Sequence, residues 1–163
     1  MPELPEVETT VRGLNKRVLN RTFIDVWSDW KKIVKRPKDF ETFKKELKDK
    51  KIKKVWRRAK NVIFDLSGDC SLLIHQKMTG HLMVGKWQMA DGKWKPEKPG
   101  PLEEKINTFL HVIFFLDDPL LSKTSDGQGG KMMALSDVRK FAKIELWKKK
   151  DLLSSKEFNK LGP

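Results

Sequence analysis

Apolar residues recur at Leu4, Val7, Val11, Leu14 and Val18, in steps of three and four that give a helix one buried stripe. The helix is predicted from about Pro2 or Glu3 to about Val18, with Pro5 tolerated in its first turn and Asn20 able to end it. Thr22 to Trp30, rich in β-branched and aromatic residues, reads as a strand. Asp39 is placed to cap a short helix whose Phe40, Phe43 and Leu47 share one side.

After that helix the pattern is that of strands. Lys51 to Arg58 and Asn61 to Leu66 are two, the second alternating Val62, Phe64 and Leu66 with Asn61, Ile63 and Asp65. Ser67-Gly68-Asp69 is a turn into the short buried strand Leu72-Leu73-Ile74. Met83 to Lys95 reads as a hairpin around Asp91-Gly92, a dipeptide suited to type I′ turns, and Lys95 to Pro101 as a Pro-rich loop. Phe109 to Leu116 is the most hydrophobic segment, a core strand that contains His111. The glycine-rich stretch Asp126 to Gly130 is a loop, and Lys131 to Trp147 gives two strands around Ser136-Asp137. A last short helix starts at Ser154 or Ser155, with Phe158 and Leu161 on one side. The order is helix, strand, helix, then at least six strands with hairpin-length links. It argues for an antiparallel sandwich or barrel with a helix laid on it.

The 163 residues make one ordinary domain with a sizeable core. No apolar run reaches about 18 residues, and no charged-then-apolar leader is read at the N-terminus, so neither a membrane partner nor secretion is expected. The lone Cys70 fits a reducing cytosol, and with His75, His81 and His111 it shows no metal-ligand spacing. No glycine-rich phosphate loop follows a strand, which disfavours a nucleotide-binding α/β fold. Charge changes the picture most. Thirty-five Lys and Arg against 22 Asp and Glu leave a net +13, which suits a polyanion partner because cations that neutralise phosphates release condensed counterions.

Four stretches carry candidate chemistry. If Met1 is removed, Pro2 is the terminal amine beside Glu3, at the positive end of a helix dipole. An α-amine titrates near pH 8 against about 10.4 for lysine, a gap worth about 3 kcal/mol of deprotonation. A secondary amine attacking an aldehyde-level carbon gives an iminium that has no N–H to lose, an electron sink that favours β-elimination with Glu3 handling a proton. Taken alone, Met-Pro-Glu also simply starts and caps a helix. Arg57-Arg58-Ala59-Lys60 is either a solvated basic turn or a phosphate clamp. Ile74-His75 through Met78-Thr79-Gly80 offers a rim histidine and an apolar tip that could enter a base stack. Asp137-Val138-Arg139-Lys140-Phe141 is a turn stabilised by its own ion pair, or a filler for the gap left by an extruded base.

Together these motifs, in this order and approximate spacing across 1–147, resemble the formamidopyrimidine-DNA glycosylases, bacterial enzymes that excise oxidised purines. Met-Pro-Glu-Leu-Pro-Glu-Val-Glu-Thr is closer to them than to the endonuclease VIII group, in which glycine usually follows the first Pro-Glu. The resemblance implies a mainly β fold with α, an antiparallel β-sandwich with the N-terminal helix packed along it, over residues 1–150. It implies Pro2 as the nucleophile at the sugar C1′, Glu3 as the acid that assists ring opening, and Lys60 as a backbone contact near the lesion. Glu6 would orient the lesion nucleotide and His75 would contact phosphate. Met78, Arg139 and Phe141 would fill the void, with Arg139 facing the orphaned cytosine.

The reaction implied is removal of 8-oxoguanine and formamidopyrimidines, followed by β/δ-elimination at the abasic site through a Pro2 Schiff base. The implied partner is double-stranded DNA holding oxidised purines or abasic sites, met by a monomer in the bacterial cytoplasm at the nucleoid. The family continues with a helix–two-turn–helix region and a zinc finger. One cysteine cannot build that finger, so no cofactor is expected in this chain, and residues 151–163 read as the start of a linker toward the missing half. Weak DNA binding and strongly impaired or absent excision by the isolated chain are the corresponding expectation. The other class of reading is a non-enzymatic basic DNA-binding β-sandwich. Ala142 stands where glycine is expected in a tight turn, and 85–106 and 118–131 look like expanded loops.

Overall fold

The computed structural model describes residues 4–76, 80–117 and 131–161. The initial apolar stripe forms helix α1 (Leu4–Arg17), and Asn20, in a left-handed conformation (φ 67°), turns the chain into β1 (Thr22–Ser28). A 3₁₀ turn at Lys31–Ile33 leads to β2 (Val34–Arg36) and α2 (Phe40–Leu47). Then come β3 (Ile52–Arg58), β4 (Asn61–Leu66), β5 (Cys70–His75), β6 (His81–Gly85), β7 (Trp87–Ala90) and β8 (Lys93–Pro96). The chain continues with β9 (Leu110–Asp117), β10 (Lys131–Ser136), β11 (Lys143–Lys148), α3 (Lys149–Ser154) and α4 (Lys156–Asn159).

Two sheets face each other, one ordered β1-β9-β10-β6 and the other β2-β11-β5-β4-β3. All their pairings are antiparallel except β2 with β11, which is parallel. This is an antiparallel β-sandwich with the N-terminal helix packed along it. The core between the sheets is built on Phe23, Phe114, Leu116 and Met133 from one side and Phe64, Leu72, Ile74 and Ile144 from the other. Helix α1 adds Val7, Val11, Leu14 and Val18, packing against the edge strands β3 and β6, while α2 packs against β1 and β2 at the opposite edges. Asn15 makes the fit of α1 specific. Its amide group donates to Val55 O (2.8 Å) and accepts from Val55 N (3.2 Å), so a side chain takes the place of a neighbouring strand at the β3 edge.

Several expectations change here. The Asp91-Gly92 turn forms with both residues at positive φ (53° and 76°), but its hairpin is β7–β8, and Met83 belongs to the four-stranded sheet. Strand β1 ends at Ser28 rather than Trp30, and the three-residue β2 is an element that no periodicity announced. The predicted Asp126–Gly130 loop lies outside the described residues.

Ile63, expected on a polar face, is buried. With Leu73 it lies under Leu152 and Phe158 of the tail, because α3 and α4 cover the outer face of the five-stranded sheet. The β7–β8 hairpin similarly brings Trp87 and Trp94 over Ile113 and Met132 on the other outer face. Truncating the buried Phe158 to Ala is expected to cost about 3 kcal/mol or more in urea unfolding, since it empties the contact that holds the tail to the sheet.

Asp39 caps α2 as expected, accepting from Thr42 N (3.1 Å) and Thr42 Oγ1 (2.7 Å). The Thr42 side-chain bond, then its backbone bond, lowers the Asp39 pKa below the ordinary 3.8. A depressed carboxylate stabilises the fold above its unfolded pKa and loses that contribution as pH falls through the folded one. The stability difference between the protein and Asp39→Ala should therefore be constant at neutral pH and shrink only below about pH 4, as acid-titrated unfolding curves would record.

Candidate functional site

Strand pairing gathers the motifs at one end of the sandwich. Arg58 pairs with Asn61 around the Ala59-Lys60 turn, Asn61 pairs with His75, and His75 pairs with Lys143. The turn after β3, the end of β5 and the start of β11 are therefore neighbours. Helix α1 runs antiparallel to β3: Asn20 N bonds Ile52 O, Asn15 bonds Val55, and Glu8 pairs with Arg57. Its first turn, with the exposed Glu6, thus lies toward the same end as Lys60.

The loop 137–142 is built on a buried carboxylate. Asp137 has 0% exposure and accepts the amides of Ala142 (2.8 Å) and Arg139 (3.3 Å). These backbone bonds, rather than the expected Asp–Arg ion pair, shape the turn, with Lys140 at φ 57°. The result is an outward display: Arg139 and Lys140 are exposed, and Phe141 is 48% exposed although it is a large apolar side chain. Ala142 is buried and is not at positive φ, so alanine fits there without strain. The close approach that demands glycine is at Gly80, where a Cβ would stand 2.6 Å from Gln76 O and 3.3 Å from the Ala142 Cβ. Gly80, just before β6, therefore lies against the end of the 137–142 loop.

The basic cluster divides. Arg57 is held by Glu8 and donates to Ala59 O (3.3 Å), which anchors the N-terminal half of α1. Arg58 lies over the Phe158 ring (5.1 Å) and donates to Leu161 O (3.3 Å), which anchors the tail. Two of the three cations expected to clamp phosphate thus have structural tasks. Lys60 is half-buried in the turn, without a salt bridge to any described residue. Between α1 and the tail an open groove of about 650 Å³ is lined by Glu8, Val11, Trp56, Arg58 and Leu161.

Of the residues singled out from sequence, Glu6, Lys60, His75, Arg139 and Phe141 share this end, whereas Pro2, Glu3 and Met78 lie outside the described residues. Sequence reasoning placed Asp137 in the turn but gave it the wrong partner: its carboxylate accepts the backbone amides of Arg139 and Ala142, the bond two residues on being the usual Asp turn chemistry. It missed Trp30, whose ring packs nearly perpendicular to that of His111, itself bonded to Asp29 (Nδ1 to Oδ1, 2.8 Å). Among the described residues no group of three or more His, Cys, Asp or Glu side chains could hold a metal ion.

Comparison with known proteins decides the family. The model of the formamidopyrimidine-DNA glycosylase N-terminal domain matches residues 1–144. The chain belongs to that family. The glycosylase of Ligilactobacillus salivarius is 31% identical over 163 residues, covering all of this chain and 49% of the relative. That of Shouchella clausii is 36% identical over 149 residues, covering 91% and 44%. The chain thus spans about half the length of the curated glycosylases it matches. Lactococcus lactis Fpg solved in complex with FAPY-dG-containing DNA superposes with a TM-score of 0.67 at 28% identity, over 93% of this chain and 46% of that one. The complex of the same enzyme with abasic-site DNA gives a TM-score of 0.68 with the same identity and coverage.

Proposed function

We propose that this chain supplies the catalytic half of a DNA-repair glycosylase that removes oxidised purines from duplex DNA and cleaves the resulting abasic site. The observation that carries the reading is the convergence of the α1 start, Lys60, His75 and the Asp137-braced loop exposing Arg139 and Phe141 at one end of a strongly basic protein. Pro2 stands two positions before Leu4, where α1 begins. With Met1 gone, the Pro2 nitrogen attacks C1′ as the glycosidic C–N bond breaks and the base leaves with a proton. Glu3 protonates O4′ as the sugar ring opens. The resulting iminium draws electrons from C2′ as its proton is lost and the 3′ phosphate departs, and δ-elimination releases the 5′ phosphate.

Extruding a nucleotide costs a few kcal/mol of stacking. Fully burying a Phe side chain returns about 1.5–3 kcal/mol, so moving the half-exposed Phe141 into the gap recovers roughly half of that. Lys60 and His75 offer phosphate contacts on the neighbouring turns. The DNA-bound Lactococcus lactis structures support this choice of partner.

The test is borohydride reduction of Met1-free protein, verified by intact mass, with duplexes containing 8-oxoguanine or an abasic site. A covalent complex is expected with damaged duplex and none with undamaged duplex. Equal salt-sensitive binding to both and no covalent complex would establish a non-enzymatic DNA-binding module instead.

A further inference from the structure

A second group of cations flanks the exposed loop on the side away from Lys60 and His75. In the five-stranded sheet β11, which follows the loop, separates β5 and its His75 from the edge strand β2. Just before β2, Trp30 is fixed in place: its amide donates to Ser28 Oγ (3.0 Å), which donates to His111 O (2.6 Å), and its ring stands nearly perpendicular to the His111 ring (centroids 6.3 Å apart). Two ammonium groups share this indole, Lys35 from β2 and Lys140 from the loop, each 5.9 Å from the ring centre. Both lysines are exposed, and neither has a salt bridge to a described residue. The neighbouring carboxylate, Asp29, is engaged by His111.

Bringing two like charges to one ring is unfavourable, and an anion placed against both removes the conflict while the indole face keeps its attraction for the cations. Lys140 lies between Arg139 and Phe141, the residues assigned above to the gap. A cation on each side of that gap matches the two backbones of a duplex.

We propose that Trp30, Lys35 and Lys140 form a phosphate subsite for the DNA strand opposite the lesion, with Lys60 and His75 serving the lesion strand. This rests on the reading of the 137–142 loop as the gap filler. The test is the affinity of Lys35→Gln/Lys140→Gln for a reduced-abasic duplex as a function of salt, with urea unfolding to verify the fold. Binding should weaken by about tenfold, and the slope of log K against log salt should become shallower by about one to two. Neutral methylphosphonates opposite the lesion should weaken the unsubstituted protein and add little to the variant's loss. An unchanged slope in the variant, or the same coupling to methylphosphonates on the lesion strand, would overturn the subsite while leaving the enzymatic reading intact. Failure of the unsubstituted protein to form a borohydride complex would instead remove the enzymatic reading.

Discussion

Protein in which the Pro2 nitrogen is acylated, by retained Met1 or by acetylation, should yield borohydride complex at least about a thousandfold more slowly than the free amine, a barrier increase of about 4 kcal/mol. Acylation makes the nitrogen an amide, whose lone pair is delocalised and cannot add to C1′. Pro2→Gly should fall between the two. Its primary amine still adds to an aldehyde, but the imine can shed its N–H proton and becomes a poorer electron sink, so elimination slows by about a hundredfold. Duplex affinity should change little in either protein, because phosphate contacts supply most of it. Trapping time courses beside mobility-shift titrations separate the two effects. Loss of binding in parallel with loss of trapping would mean that the terminus acts as structure.

The second large effect is expected at Asp137. Replacing it with Ala removes the acceptor of the Arg139 and Ala142 amides in a fully buried site and leaves both donors without it. Each such loss costs about 1–3 kcal/mol, so a destabilisation of about 2–6 kcal/mol is expected in urea unfolding. Function should fall further than stability. Below the unfolding transition the loop no longer holds Lys140 at φ 57° or Arg139 and Phe141 outward, and complex formation on lesion duplex should drop by about tenfold or more. Asp137→Asn keeps one acceptor oxygen and should lie between. An Asp137→Ala protein of normal stability and normal trapping would show that the loop is shaped by something else.

Much of this was legible in the chain because the periodic signals were strong. The three-and-four spacing from Val7 to Val18 specifies one buried face, and Asp39 with Thr42 specifies a cap. The β3–β5 strands and the Asp91-Gly92 turn are likewise written locally. What was hidden depends on partners distant in sequence. Ile63 reads as solvent-facing until residues about ninety positions later fold back over it. Arg57 and Arg58 read as a clamp until Glu8, Phe158 and Leu161 are seen to hold them. β2 is too short to show a period, and its parallel pairing with β11 brings Lys35 and Trp30 beside a loop more than a hundred residues away. Even at the site, the motifs named the residues, but only strand register shows that they share an end.

The most direct test of the account is to locate the DNA on the protein. Met1-free chain reduced with borohydride on an abasic duplex, digested with nuclease and protease, would be mapped by mass spectrometry for the residual sugar mass. That mass is expected on the N-terminal peptide, at the Pro2 nitrogen. The sugar on Lys60 or another lysine, or no modified peptide from protein whose terminus is verified, would contradict it.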